Sequence, residues 1–365
     1  MHIVIDARVI NSGTGTYVRE LLNHLQLIDT TNRYTVLVPT KDLSYWQPKA
    51  ANFSLVAADF ANYSFAEQLG FGRFLKTLSP DLVHFCMPQQ PLLYKGKRVT
   101  TFHDMTLLNT YNSDKNWLIF HIKQLVGRWV WKRVAEVSDH VIAISHNTKR
   151  EYQEFSGIPD SKMSVIYEAG EAHPTTLSPY TKLPFKTFIL YVGQQPDYKN
   201  IRRLGDAHQL VLKKHPELGL VLVGRLKADA RRNQAYFERH EYQNIHFTDY
   251  IDDSQRDWLY TKATAYVFPS LMEGFGLPPL EAMAYGTPVI SSNTSCMPEV
   301  LGDAPLYFDP TDVHDIAAKI EQLIENPKLQ QQLRERGKQQ VKRYSWEETA
   351  KQTHAVYMKL LRNTP

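Results

Sequence analysis

Cysteine is nearly absent from this chain: Cys86 and Cys296 are the only two in 365 residues. They stand far apart without CxxC spacing, so neither a disulfide framework nor a thiolate zinc site can be built from them. A reducing compartment fits best. A surplus of one charge is also missing, since 42 Lys and Arg meet 38 Asp and Glu for a formal net charge of +4. An electrostatic nucleic-acid binder needs a basic excess to neutralise many phosphates, so nucleic acid is not expected as a partner. No run of about 18 apolar residues occurs, which argues against a membrane span, and the N-terminus meets Asp6 too early for a signal peptide. The expected location is the cytoplasm. Internal repeats, low-complexity tracts and long charge blocks are lacking too. What is present is apolar material, 43 % hydrophobic against 22 % charged residues. That is enough for real cores, and at about 100 to 200 residues per domain the length points to two of them.

Short β-branched runs alternate with helix-period segments. In the first half the pattern predicts strands at 2–6, 34–39, 53–57, 82–85, 99–102, 141–145 and 164–167, with helices at 16–27, 65–78, 116–137 and 147–155. The alternation breaks at 171–186, a linker-like stretch carrying Pro174, Pro179 and Pro184. It restarts with strands at 188–192, 220–223, 245–247, 265–268, 288–291 and 306–308, and helices at 201–215, 229–242, 254–261, 279–285, 313–326, 327–343 and 346–361. Such alternation is the signature of parallel sheets covered by helices on both faces. The expected fold is α/β: two Rossmann-like, doubly wound parallel-sheet domains, 1–170 and 187–345, facing a central cleft. In open parallel sheets ligands sit beyond the carboxyl ends of the strands.

The most informative segment follows the strand at 265–268. A loop with Glu273, Gly274, Phe275, Gly276 and Leu277 leads to a helix expected to start near Pro279, and Glu281 falls in its first turn. Glycines let a ligand approach the backbone, and a helix N-terminus favours a phosphate or a sugar oxygen. A carboxylate can accept hydrogen bonds from the vicinal hydroxyls of ribose or a hexose. For Glu281 alone, simple preference for the helix dipole is an equal alternative. Glu273 and Glu281 in the context GFGLPPLEAMAYGTPVI resemble the E-x7-E signature of family 4 retaining glycosyltransferases, which adopt the two-Rossmann GT-B fold. The resemblance covers nearly the whole chain. It implies transfer of a sugar from a nucleotide diphosphate sugar with retention of anomeric configuration. By the same resemblance Glu273 holds hydroxyls of the donor sugar, Glu281 holds the nucleotide ribose, and the loop Gly274 to Leu277 lies against the donor. It also implies that the last helix, 346–365, packs back on the N-terminal domain, and that the two domains take the acceptor and the donor respectively.

A second signal is Gly193, ending a strand, followed by Lys199 and Asn200 at the mouth of a helix. A cation there could neutralise a leaving diphosphate, although on local sequence alone a solvated lysine is the commoner case. The family's G…KN pattern favours the functional role for Lys199. Many relatives carry an arginine where Gln194 or Tyr198 stands here; Arg225, after Gly224, is the substitute considered for a second cation. The resemblance puts the base near Ile251 and the Gly224-Arg225 loop. In the first half, Gly13, Thr14 and Gly15 follow the first strand and open a helix, a geometry that cradles phosphate or sugar. The spacing fails GxGxxG at Val18, yet it resembles the family's glycine loop, which closes over the donor. His103 ends a strand, and the resemblance implies contact with the donor sugar; Asp104 beside it reads as a loop cap.

No D-x-D triplet occurs, the carboxylate pair with which the other main glycosyltransferase fold holds a divalent ion. No metal and no cofactor are expected. Between Lys115 and Arg150 seven basic residues meet only Glu136 and Asp139. On a continuous helix Trp117, Phe120, Arg128, Trp131 and Lys132 fall on one stripe, while Leu118, Ile122, Leu125, Val126 and Trp129 fall on the other side and read as core. The aromatic and basic stripe fits either an anionic membrane presenting a lipid-linked acceptor or the cleft between domains. Gly127 is a point where the helix could break. The expected function is a retaining hexosyltransferase moving mannose or a glucose-type sugar from a GDP- or UDP-linked donor to a saccharide or lipid-linked saccharide. It would serve cell-surface polysaccharide assembly, with peripheral contact at the inner face of the membrane. The alternatives are a phosphorylase-like GT-B enzyme and a nonenzymatic sugar-nucleotide-binding protein.

Overall fold

Valine, isoleucine and leucine fill short runs whose residues are buried on both faces, which suits strands inside a parallel sheet. The computed structural model describes residues 1–109, 117–172 and 176–362. Lys115 and Pro174 lie outside the described residues, as do the side chains of Trp117, Leu118, Phe120, Ile122 and Lys123. The first sheet contains β1 (His2–Asp6), β2 (Arg33–Val38), β3 (Phe53–Ala57), β4 (Leu82–Phe85), β5 (Arg98–Phe102), β6 (His140–Ala143) and β7 (Met163–Val165). Its order is β3-β2-β1-β4-β5-β6-β7, and every pairing is parallel. The second contains β8 (Phe188–Val192), β9 (Gly219–Val223), β10 (Ile245–Asp249), β11 (Ala265–Phe268), β12 (Val289–Ser292) and β13 (Leu306–Phe308), in the order β10-β9-β8-β11-β12-β13, again all parallel.

In each sheet the chain winds outward in one direction and then returns to the other side of its first strand. The connections therefore diverge between β1 and β4, and between β8 and β11. At such a switch point the carboxyl ends of two neighbouring strands leave an open crevice, which is where a doubly wound sheet accepts ligands. Met1–Glu168, joined by the segment from Trp346 onward, forms one compact unit, and Ala169–Ser345 forms the other. Within the first unit the helix Trp346–Arg362 packs on the helix Gly15–Ile28. The Tyr357 hydroxyl lies 2.5 Å from His84 Nδ1, and Thr349 Oγ1 donates to the Tyr167 carbonyl at 2.7 Å. Burial lowers the His84 pKa to about 3, so this ring is neutral and can serve as a hydrogen-bonding partner in the core.

The helix read at 65–78 opens as a π-helix over Ala66–Phe71 before becoming α-helical at Gly72–Leu78. The helix Trp117–Val137 is continuous through Gly127, but its faces are not those read from the sequence. Leu125, Val126 and Trp129, assigned to the core, are 69 %, 52 % and 59 % exposed, while Trp131, assigned to the outer stripe, is 3 % exposed. The stripe that turns inward is Gly127, Val130, Trp131 and Val134, spaced i, i+3, i+4, i+7. Trp131 meets Phe102 edge to face at 4.8 Å, and its carbonyl accepts from the Tyr152 hydroxyl at 2.7 Å. Inside the core the Trp131 ring has the Phe102 ring as partner, whereas Leu125, Val126 and Trp129 face outward.

Candidate active site

At the β8/β11 switch point of the second unit the two strongest sequence signals come together. After β8 the chain passes Gly193 and Pro196 into a 3-10 turn, Asp197–Lys199, and enters the helix Ile201–Val211 through Asn200 in the left-handed region. The Asn200 side-chain amide donates to the carbonyls of Pro269 at 3.1 Å and Pro310 at 2.7 Å, and Leu271 N donates to the Tyr198 carbonyl at 2.8 Å. These bonds tie the loop after β8 to the loop after β11. Lys199 Nζ then reaches Glu273 Oε1 at 2.5 Å, with the two side chains only 16 % and 12 % exposed. The ammonium also lies over the rings of Tyr198 and Phe268. Glu273 is braced by a residue that has no motif to announce it: Ser295 Oγ accepts from Glu273 N and donates to the Glu273 carbonyl. Ser295 comes from the loop after β12 and itself has a positive φ of 56°, information that is tertiary and leaves no local trace.

Gly224 has φ 152°, and a Cβ there would meet the Gly193 carbonyl oxygen at 2.3 Å. The ends of β8 and β9 can approach each other only because no side chain intervenes. Gly276, at φ 92°, starts the helix Leu277–Ala284, two residues earlier than read from the sequence. Pro278 and Pro279 bring no N–H, so the backbone donors this helix start can offer a ligand narrow to those of Gly276 and Leu277. Glu281, one turn in, accepts from the buried Tyr260 hydroxyl at 3.2 Å. Burial would lower the Arg256 pKa, yet the charge of Glu281, with those of Asp253 and Asp257, raises it. A half-buried carboxylate that accepts one phenol hydrogen bond keeps lone pairs for hydroxyls. The Arg225 guanidinium stacks over the ring of Tyr250 at 4.8 Å, next to Ile251 at the end of β10. Arg225 thus sides with the expected base region, and Lys199 is the cation bound to Glu273.

In the first unit Gly13 and Thr14 are the outer part of the loop after β1, and Gly15 opens the helix Gly15–Ile28, whose N-cap Thr14 makes no side-chain capping bond. His103 follows β5 and is buried, with Nε2 at 2.9 Å from the Cys86 carbonyl and Nδ1 at 3.2 Å from Glu168 Oε1. Asp104 Oδ1 accepts from Thr106 N and caps the helix Thr106–Asn109. Beside β1 lies a buried ion cluster that sequence reading missed. Arg8 donates to both oxygens of Asp6, to Glu67 Oε1 and to the Phe60 carbonyl. A lone arginine after a strand gives no signal of this kind, because its partner Glu67 lies 59 residues away. Among the described residues no group of three His, Cys, Asp or Glu side chains could hold a metal ion, and no helix is long and apolar enough to cross a membrane.

Two doubly wound parallel sheets, each with a switch point, define the GT-B class of glycosyltransferase folds. The chain belongs to glycosyltransferase family 4. Residues 11–169 match the model described as Glycosyltransferase Family 4, and residues 180–340 the model described as Glycosyl transferases group 1. The O-antigen chain mannosyltransferase B of Escherichia coli is 32 % identical over 274 residues, 72 % of this chain and 70 % of that one. The serotype-specific mannosyltransferase WbdA of Escherichia coli is 30 % identical over 294 residues, 73 % of this chain but 34 % of the longer relative. Among solved structures, sucrose-phosphate synthase from Thermosynechococcus elongatus superposes with a TM-score of 0.80 at 18 % identity, covering 100 % of both chains. A structure of Anabaena HepE with UDP and glucose gives 0.76 at 15 % identity, covering 98 % of this chain and 100 % of that one. The fold and family expected from the sequence are borne out, and the protein is a glycosyltransferase.

Proposed function

We propose that this enzyme transfers a mannosyl residue, with retention of configuration, from a nucleoside diphosphate sugar to a saccharide acceptor during polysaccharide assembly. The observation that carries the reading is the Lys199–Glu273 pair at the β8/β11 switch point, a cation and a carboxylate side by side where a doubly wound sheet takes its ligand. The sugar identity is supported by relatives named as mannosyltransferases. In this reading Lys199 turns from Glu273 to the diphosphate and neutralises the charge that grows as the glycosidic C–O bond breaks. Glu273, freed from the ammonium, accepts hydrogen bonds from sugar hydroxyls and fixes the ring, while Glu281 takes the ribose hydroxyls. The acceptor oxygen bonds to the anomeric carbon on the face the phosphate leaves, and its proton passes to the departing phosphate oxygen. No enzyme nucleophile and no metal ion are required. GDP or UDP at 100 times its dissociation constant should stabilise the fold by about 2.7 kcal/mol, read as a thermal shift that EDTA leaves unchanged. If GDP, UDP and ADP all fail to shift the melting curve, the nucleotide-sugar reading is wrong.

The acceptor we favour is lipid-linked and met at the inner face of the membrane. Support comes from the face of the helix Trp117–Val137 that turns Leu125, Val126 and Trp129 outward beside exposed Arg128, Lys132 and Arg133. Apolar side chains ringed by cations suit an anionic headgroup layer, where each basic residue contributes about 1 kcal/mol and salt screens it. The parent should float with vesicles rich in anionic lipid at low salt, and a Leu125→Ser, Trp129→Ser, Lys132→Glu variant should not. Equal flotation of the two would remove the membrane from the account.

A further inference from the structure

Both ring nitrogens of His103 face acceptors. The Cys86 carbonyl at 2.9 Å from Nε2 can only accept, so Nε2 carries a hydrogen. The Glu168 carboxylate at 3.2 Å from Nδ1 is an acceptor as well when ionised. A ring that donates from both nitrogens is an imidazolium. His103 and Glu168 are 5 % and 4 % exposed, so solvent screens their attraction little. The arrangement is held from all sides. Glu168 stands three residues beyond β7, where Ile166 N donates to the Ala143 carbonyl and the Tyr167 carbonyl accepts from Thr349. The Tyr17 ring meets the imidazole edge to face at 4.9 Å, and Thr148 Oγ1 donates to the His103 carbonyl.

We infer that Glu168 is a positioning residue which holds His103 as an imidazolium with both N–H groups committed inside the first unit. His103 then serves the transfer reaction as a fixed positive charge, and no lone pair is left to take a proton from an acceptor. The inference rests on the transferase reading for its catalytic part only. The other groups facing His103 agree with it. Asp104 adds a second negative charge, His84 is neutral, and burial pushes the Cys86 thiol and the Tyr17 phenol up so that both stay uncharged. Burial alone would lower the His103 pKa, but the hydrogen bond and charge of Glu168, with the Cys86 carbonyl and Asp104, outweigh it and leave it raised.

The test uses Glu168→Gln in the full chain. A glutamine of the same shape can turn its amide NH2 toward a neutral Nδ1, so the packing survives while the charge is lost; if that variant does not fold, the protonation of His103 in the parent spectrum alone decides. Nitrogen-detected histidine NMR, with the His103 signals assigned from a His103→Asn variant, should show both ring nitrogens protonated at pH 7 in the parent. The glutamine variant should show a midpoint lower by about one pH unit or more. Turnover of GDP-mannose by Glu168→Gln should fall roughly tenfold in kcat with little change in KM, recover as pH is lowered, and be largely restored in Glu168→Asp. A neutral His103 in the parent spectrum, or kcat–pH profiles that coincide for parent and Glu168→Gln, would overturn the inference. Absence of turnover by the parent itself would count against the transferase reading instead, because the spectrum reports on Glu168 without any substrate.

Discussion

Glu273→Gln should lose transfer by a factor of about 10² to 10³ in kcat while keeping the fold and most of the affinity for nucleotide. The amide matches the carboxylate in shape, and the backbone of residue 273 stays tied to Ser295 through both its N–H and its carbonyl. What disappears is the negative charge that meets Lys199 Nζ at 2.5 Å. Lys199 is then poised without its counter-charge, and the sugar loses its strongest acceptor. Because the two residues act as a unit, a Lys199→Ala, Glu273→Gln double variant should be little worse than the poorer single one. Steady-state kinetics with thermal melts of all variants checks this. Equal kcat in Glu273→Gln and the parent would remove Glu273 from the chemistry.

Arg8→Met should destabilise the first unit by about 3 to 5 kcal/mol, the usual cost of stranding a buried charge. Arg8, Asp6 and Glu67 are all nearly inaccessible, and the guanidinium lies 4.0 Å from the centre of the Phe71 ring as well as bonding both carboxylates. Removing it leaves two carboxyl groups together at the carboxyl end of β1. Burial already raises the Glu67 pKa against the attraction of Arg8, and Asp6 pushes the same way. In the variant that rise is larger, so the folded chain keeps a proton that the unfolded chain has released. More protons bound in the native state means stability that falls as pH rises. The deficit of Arg8→Met should therefore be largest near neutral pH and shrink toward pH 5, which urea titrations at several pH values can measure. A loss below about 1 kcal/mol would show that water reaches the cluster.

The strands were legible because a doubly wound sheet demands short, mostly apolar runs, and seven of them before residue 170 with six after 187 correspond to the strands in both sheets. The loop bearing Glu273 was legible for a similar reason: a strand end, glycines and a proline-led helix leave local marks. The faces of the helix Trp117–Val137 were not, because tryptophan and leucine count alike in a periodicity, and the ring that receives Trp131, Phe102, comes from a separate strand. Ser295 at Glu273, Glu168 at His103 and Glu67 at Arg8 were invisible for a shared reason. Each is fixed by the folding of distant segments onto one another, and a single carboxylate or hydroxyl has no spacing to betray it.

The central claim is retaining transfer from a nucleoside diphosphate sugar, and the anomeric configuration of the first-formed product tests it most directly. With GDP-α-mannose and a soluble saccharide acceptor, proton NMR recorded early in the reaction should show an α-mannoside accumulating in step with GDP. A β-mannoside as the first product, or consumption of donor with no new glycosidic bond, would contradict the account.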